Sequence, residues 1–254
     1  RTAFFTVGGA TSAIILLASL LLSNRPEDKG LAPYGGAPSA KVSSHQAGSA
    51  APTEAISFSQ IRRTPIFWTL VATHALGCVS HSIPLAHVVS MATASGIPSL
   101  AAAGLLSAIS LTSMGSRFGM SILSESRGSR LTLGLAFLFQ TTPLLLLFWA
   151  NSLSSFYLFA LLFGIGFGGE MVGYAIFNNQ LFGPNAPLTK IYAYQSVGAL
   201  SGMALGGWLG GALYDFTGGY TWPVIAAVAA GLVGFIPVFL LPRHKRSPQP
   251  LPAT

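Results

Sequence analysis

Three features of this 254-residue chain predict an all-α polytopic membrane protein. Charged residues make up 7% of it, against about 25% in an ordinary soluble domain, while 51% is hydrophobic and mean hydropathy is +0.61. Seven apolar runs, each near the ~20 residues that a helix needs to cross the hydrocarbon, are separated by polar breaks. The basic residues fall between those runs rather than along one face. A net charge of +7 therefore describes loops at a membrane surface and not a nucleic-acid partner. The single cysteine, Cys78, rules out an internal disulfide and offers no metal cluster.

The runs are expected at about 3–23, 66–93, 99–124, 131–150, 156–182, 191–214 and 222–241. Between the first and second lies a linker, 24–64, that opens Arg25-Pro26-Glu27-Asp28-Lys29-Gly30 and continues in Pro, Ser, Gly and Ala. Such a composition cannot bury enough apolar surface to fold alone. At its end, residues 53–63 place Ile56, Phe58 and Ile61 near one side of a short helix, expected to lie in the membrane interface. The chain thus divides into a first helix (1–23), the linker (24–64), a six-helix unit (65–241) and a tail (242–254). Arg1 is not a start methionine and no charged leader of a cleavable signal precedes the first run, so the chain is expected to be a piece of something longer.

Loop charges set the orientation. Arg25, Lys29, Lys41, Arg62, Arg63, Arg127, Arg130, Lys190, Arg243, Lys245 and Arg246 alternate consistently onto one side, and only Arg1, with Asp215, falls on the other. The positive-inside rule makes the linker and the C-terminus cytoplasmic in an inner or plasma membrane.

Within the spans, two glycine patterns stand out. Gly198, Gly202, Gly206 and Gly210 recur at spacing four, which lets another backbone approach closely. Gly164, Gly166 and Gly169 match G-x-G-x-x-G literally, but inside an apolar span rather than between a strand and a helix, so a dinucleotide site is dismissed.

Arg117 is the residue around which the rest is organised. It lies inside the third run, eight residues before the charged turn Glu125-Ser126-Arg127-Gly128-Ser129-Arg130, hence roughly 12 Å from it along a helix. A charge there costs about 2.5–3.5 kcal/mol on insertion scales, so it is a functional-site hypothesis by default. Its planar, permanently charged fork matches a carboxylate.

The order of these segments resembles major facilitator superfamily transporters, with the closest likeness to the monocarboxylate-transporter and oxalate/formate-antiporter branches. Arg1-Thr2-Ala3-Phe4, the apolar run and Arg25-Pro26-Glu27-Asp28 are similar to the sixth helix and central loop of that family. The turn from Glu125 to Arg130 resembles a degenerate D-R-x-G-R-R loop, with Glu for Asp and serines for two basic residues. Phe182-Gly183, Lys190-Ile191-Tyr192, the glycine stripe and Ala212 through Tyr220 look like helix eleven and its following loop. The resemblance implies helices six to twelve of a twelve-helix transporter, whose missing N-terminal half would be a partner. It implies secondary active transport of a small organic anion, a monocarboxylate with protons as the coupling ion, by alternating access. No enzyme activity, cofactor or metal is implied.

The resemblance also implies that Arg117, in Gly115-Ser116-Arg117-Phe118-Gly119, pairs with the substrate carboxylate; the structural alternative pairs it with a carbonyl or with Glu170. Glu170 is read either as a proton-coupling acid or as the partner in a polar helix contact. His74 and His81, seven apart on one face, and His87 are read as hydrogen-bonded histidines ahead of a proton relay. Metal binding is set aside because no cysteine or paired acid accompanies them. Tyr174, Tyr194 and Gln195 are candidate hydrogen-bonders in the pocket, and Val197 stands where the antiporter branch has a lysine. Glu125, Arg127 and Arg130 are expected to hold or gate the cytoplasmic end. The rival classes are a seven-span receptor, suggested by the odd span count, and a membrane enzyme, for which no catalytic constellation is found.

Overall fold

The computed structural model describes residues 2–21, 57–183 and 186–240. Most of the expected linker, the expected tail, and Arg1, Arg25, Lys29, Lys41, Ile56, Arg243, Lys245 and Arg246 lie outside the described residues. The chain forms two compact units, Arg1–Pro52 and Thr53–Thr254. In the first, α1 (Thr2–Leu21) carries no charged residue, and its apolar stretch is Gly9–Leu20. The Ser19 hydroxyl donates to the Leu16 carbonyl at 2.7 Å, which satisfies a polar group without water.

The second unit contains α2 (Phe58–Ile61), α3 (Pro65–Ala94), α4 (Ser99–Arg127) and α5 (Ser129–Thr141), which a 3₁₀ segment, Thr142–Phe148, continues. It is completed by α6 (Leu153–Phe182), α7 (Leu188–Thr217) and α8 (Thr221–Leu240). Counting α5 with its continuation, six of these are long and apolar enough to cross a membrane, and there is no strand among the described residues. The all-α polytopic class is therefore correct. Element ends match the expected spans to within a few residues because the punctuation is local. Thr64 caps α3, its hydroxyl accepting from the Phe67 amide at 3.3 Å, with Pro65 in the first turn.

Two expectations need correction. The charged turn is not a six-residue break, since α4 runs on through Arg127 and only Gly128 interrupts the chain before α5. Glu, Ser and Arg all tolerate a helix, so leaving the apolar run does not mean leaving the helix. Gly128 has φ +93°, ψ 146°, a region essentially closed to residues with a Cβ, although a Cβ there would meet nothing within 4 Å. Gly128→Ala is expected to cost roughly 1–3 kcal/mol through backbone strain alone, read as a lower unfolding midpoint in detergent. The second correction concerns α2. Ser57 and Gln60 close a capping box around it, and Ile61, 3% exposed, packs with Phe67, Ala186 and Ile191. At Ile61, then, the face expected to lie in the membrane interface is covered by the bundle.

Packing is organised by glycine. Gly198, Gly202, Gly206 and Gly210 of α7 face Val71, Ala75, Val79 and Ile83 of α3, the last together with His87, so the two helices run parallel in steps of four. Cβ atoms on Gly202 and Gly206 would strike the Ala75 and Val79 carbonyls. Gly164 and Gly168 of α6 seat in the same way on Ile109 and Ser113 of α4, while Gly166 meets Ala136 and Gln140 of α5. The literal dinucleotide pattern is thus a pair of helix contacts.

One end of this unit joins Ile61 and Phe67 to Ile191, and Leu70 to Leu133, Tyr174, Phe177 and Val238. Arg62, Arg63, Arg127, Arg130 and Lys190 all belong to this end, and Asp215 to the other. The expected alternation of charge therefore holds for the described residues.

Candidate functional site

Arg117 sits ten residues before Arg127, the last residue of α4. That is about 15 Å of helix, and the ~12 Å that separates it from Glu125, where the charged residues begin, is as the sequence expectation has it. Its side chain is exposed, on a helix whose neighbouring exposed residues are Leu111, Met114, Phe118 and Ile122. Among the described residues no hydrogen bond or ion pair engages its guanidinium. Ser116, beside it, donates to the Ile165 carbonyl of α6 and fixes this turn of α4 against the bundle.

Glu170 does not meet Arg117. It is 1% exposed, and its Oε2 lies 3.1 Å from Nδ1 of His81, which is fully buried. Gly77 makes this possible, since a Cβ there would fall on the Glu170 carboxylate. The His81 ring meets the edge of Phe167 with centroids 5.0 Å apart. One turn earlier than Cys78, His74 stacks on Tyr174 at 3.9 Å and 17°. His74 and His81 therefore share the buried face that their spacing predicted, and Tyr174 and Glu170 of α6 come to them. His87 stands apart, its Nε2 3.0 Å from the Gly207 carbonyl of α7.

Gln195 and Asn178 form a reciprocal amide pair between α7 and α6, at 2.7 and 3.0 Å, with both side chains buried. Removing either would leave a buried amide without partners, at a cost of about 1–3 kcal/mol. Tyr194 lies at the bundle end beside Phe58, with centroids 4.9 Å apart, and is exposed, as is Val197. Arg130 donates to the Phe239 carbonyl and lies over the Phe239 ring, 5.9 Å from its centroid, so it ties α5 to α8. Glu125 and Arg127 are exposed on the last turn of α4.

Sequence reasoning missed three participants. Cys78 stands one turn from His81 and close to Glu170, so the premise that neither a cysteine nor an acid accompanies the histidines is corrected. A Cys-x-x-His spacing on one helix face was the available signal. Gln140, whose Nε2 donates to the Gly77 carbonyl at 3.1 Å, and Asn178 carried no signal, because their partners are distant in sequence.

A cavity of about 510 Å³ opens elsewhere, between α5 and α8, lined by Arg127, Arg130, Gly134, Leu138, Phe235 and Phe239 among others. It touches neither Arg117 nor the buried polar side chains. Its two arginines lie at the bundle end and Arg130 is already engaged by Phe239, whereas Arg117 stands mid-helix, so the Arg117 position is the better candidate for a mid-membrane site.

A family model described as Major Facilitator Superfamily matches residues 1–187, ending one residue before α7 begins. Comparison with curated proteins finds no match.

Proposed function

The chain belongs to the major facilitator superfamily, a family of membrane transporters, and on that premise we propose that it carries a small organic anion, a monocarboxylate, by secondary active transport. The observation that carries this reading is the mid-helix guanidinium of Arg117, which no described side chain neutralises while the buried acid Glu170 is engaged by His81. A charge retained at that depth without a protein partner is suited to a visiting anion, and the guanidinium fork fits a carboxylate bidentately. Glu170, His81, Tyr174 and Gln195 form, in this reading, the polar core behind the substrate path. Glu125, Arg127 and Arg130 hold the charged end, which the positive-inside rule makes cytoplasmic, together with the C-terminus, in a plasma or inner membrane.

Alternating access in this family rocks one half against the other around a midplane site, so in this reading the six-helix unit works against a second half. The resemblance to the monocarboxylate branch adds a proton as the coupling ion. The receptor reading is not favoured by the family. Uptake of labelled mono- and dicarboxylates into cells making the full-length protein, at several external pH values, tests the whole proposal. Monocarboxylate uptake that rises as the outside is acidified is expected. Dicarboxylate preference would reject the substrate class, and uptake indifferent to pH would reject the proton.

A further inference from the structure

Three side chains with metal-binding chemistry converge in the core of the six-helix unit. Cys78 and His81, one turn apart on α3, face Glu170 of α6, and one ligand atom from each lies within 4.8 Å of the others. All three residues are buried. Oε1 of Glu170 and Nε2 of His81 have no hydrogen-bond partner among the described residues. A buried ionisable side chain with an unsatisfied oxygen needs an explanation beyond its one contact.

We propose that Cys78, His81 and Glu170 form a binding site for a thiophilic divalent transition-metal ion of the Zn(II) type. Thiolate, imidazole and carboxylate are the donors such ions take, whereas calcium and magnesium require oxygen ligands. Charge favours the assignment too. A thiolate and a carboxylate cancel a doubly positive ion, so the filled site is neutral, as a water-free interior favours. Nδ1 of His81 and Oε2 of Glu170, hydrogen-bonded at 3.1 Å without an ion, would exchange that contact for the metal and move only slightly apart, since donors ~2.0–2.2 Å from a tetrahedral ion stand roughly 3.3–3.6 Å from one another. The 4.8 Å outer separation needs a contraction of about an ångström to match. Gly77 opens the space in α3 through which the carboxylate reaches the cysteine side. Three protein donors leave one coordination position open, as in sites that exchange their ion or take a further ligand.

A plain His81–Glu170 ion pair would explain that contact without a metal, so the test turns on the thiol. Cys78 is the only cysteine of the chain, and any thiolate-to-cobalt charge-transfer band therefore reports this position alone. The untagged full chain in detergent is titrated with Co(II). A near-ultraviolet band saturating at one Co(II) per chain, reversed by Zn(II), is expected. Zn(II) should also raise the unfolding midpoint of the unaltered chain. Cys78→Ser should abolish the band, and His81→Ala and Glu170→Gln should each weaken Co(II) affinity by at least about tenfold. Absence of the band from the unaltered chain at saturating Co(II) overturns the proposal, whatever the variants do. A band whose affinity is the same in His81→Ala and Glu170→Gln overturns it as well, because the thiol would then be acting alone.

Discussion

Replacing Arg117 with glutamine in the full-length transporter is expected to bring monocarboxylate uptake to background while the protein still reaches the membrane in normal amount. The guanidinium lies about 15 Å inside α4, where a bound carboxylate would be largely desolvated. Removing one member of a desolvated charge pair costs roughly 3–5 kcal/mol, or two to nearly four decades in affinity. Insertion should not suffer, since the substitution also removes a charge that costs about 2.5–3.5 kcal/mol at the helix centre. Arg117→Lys keeps the charge but loses the planar fork, so it should retain a minor fraction of uptake with a raised half-saturation concentration. Normal uptake by Arg117→Gln at normal surface abundance would remove Arg117 from the site.

The second large effect is structural. Gly202→Val is expected to abolish the folded bundle or lower its unfolding midpoint severely, measured by thermal unfolding in detergent. A Cβ at this position would strike the Ala75 carbonyl oxygen and lie 3.0 and 3.1 Å from the Ala75 carbonyl carbon and Cα. Overpacking a core costs about 1–3 kcal/mol when side chains yield, and here the obstacle is main chain on a parallel helix, so the upper limit should be exceeded. Gly207→Ala supplies the contrast on the same helix. Its Cβ meets nothing within 4 Å, and exchanging a helical glycine for alanine is worth about 0.5–1 kcal/mol, so stability should hold or rise. Equal losses in both variants would show that α7 depends on glycine for some reason other than its contact with α3.

These cases also show what the amino-acid order could and could not reveal. The spacing of Gly198, Gly202, Gly206 and Gly210 announced a close helix contact, because a stripe is a local property; that α3 is the partner is not. Span ends were legible wherever a cap or proline marks them, as at Thr64 and Pro65. The extent of α4 was misjudged because polar residues there mark the edge of the membrane and not of the helix. The burial of Ile61 was invisible for a related reason, since an apolar face does not declare what covers it. His74 and His81 could be placed on one face by counting. Glu170 lies 89 residues beyond His81, and only the fold could show that it answers the histidine and not Arg117.

The two glycine seams, α3 on α7 and α4 on α6, carry a mechanical consequence. At Gly202 and Gly206 in one seam and at Gly164 and Gly168 in the other, main chain lies directly on main chain, and there no rotamer stands between the helices to flip. Each pair should therefore respond to load as one laminated beam, delivering a displacement at one membrane face undiminished to the other. Any bending the protein needs is then left to its joints, of which the single-residue elbow at Gly128 is the tightest.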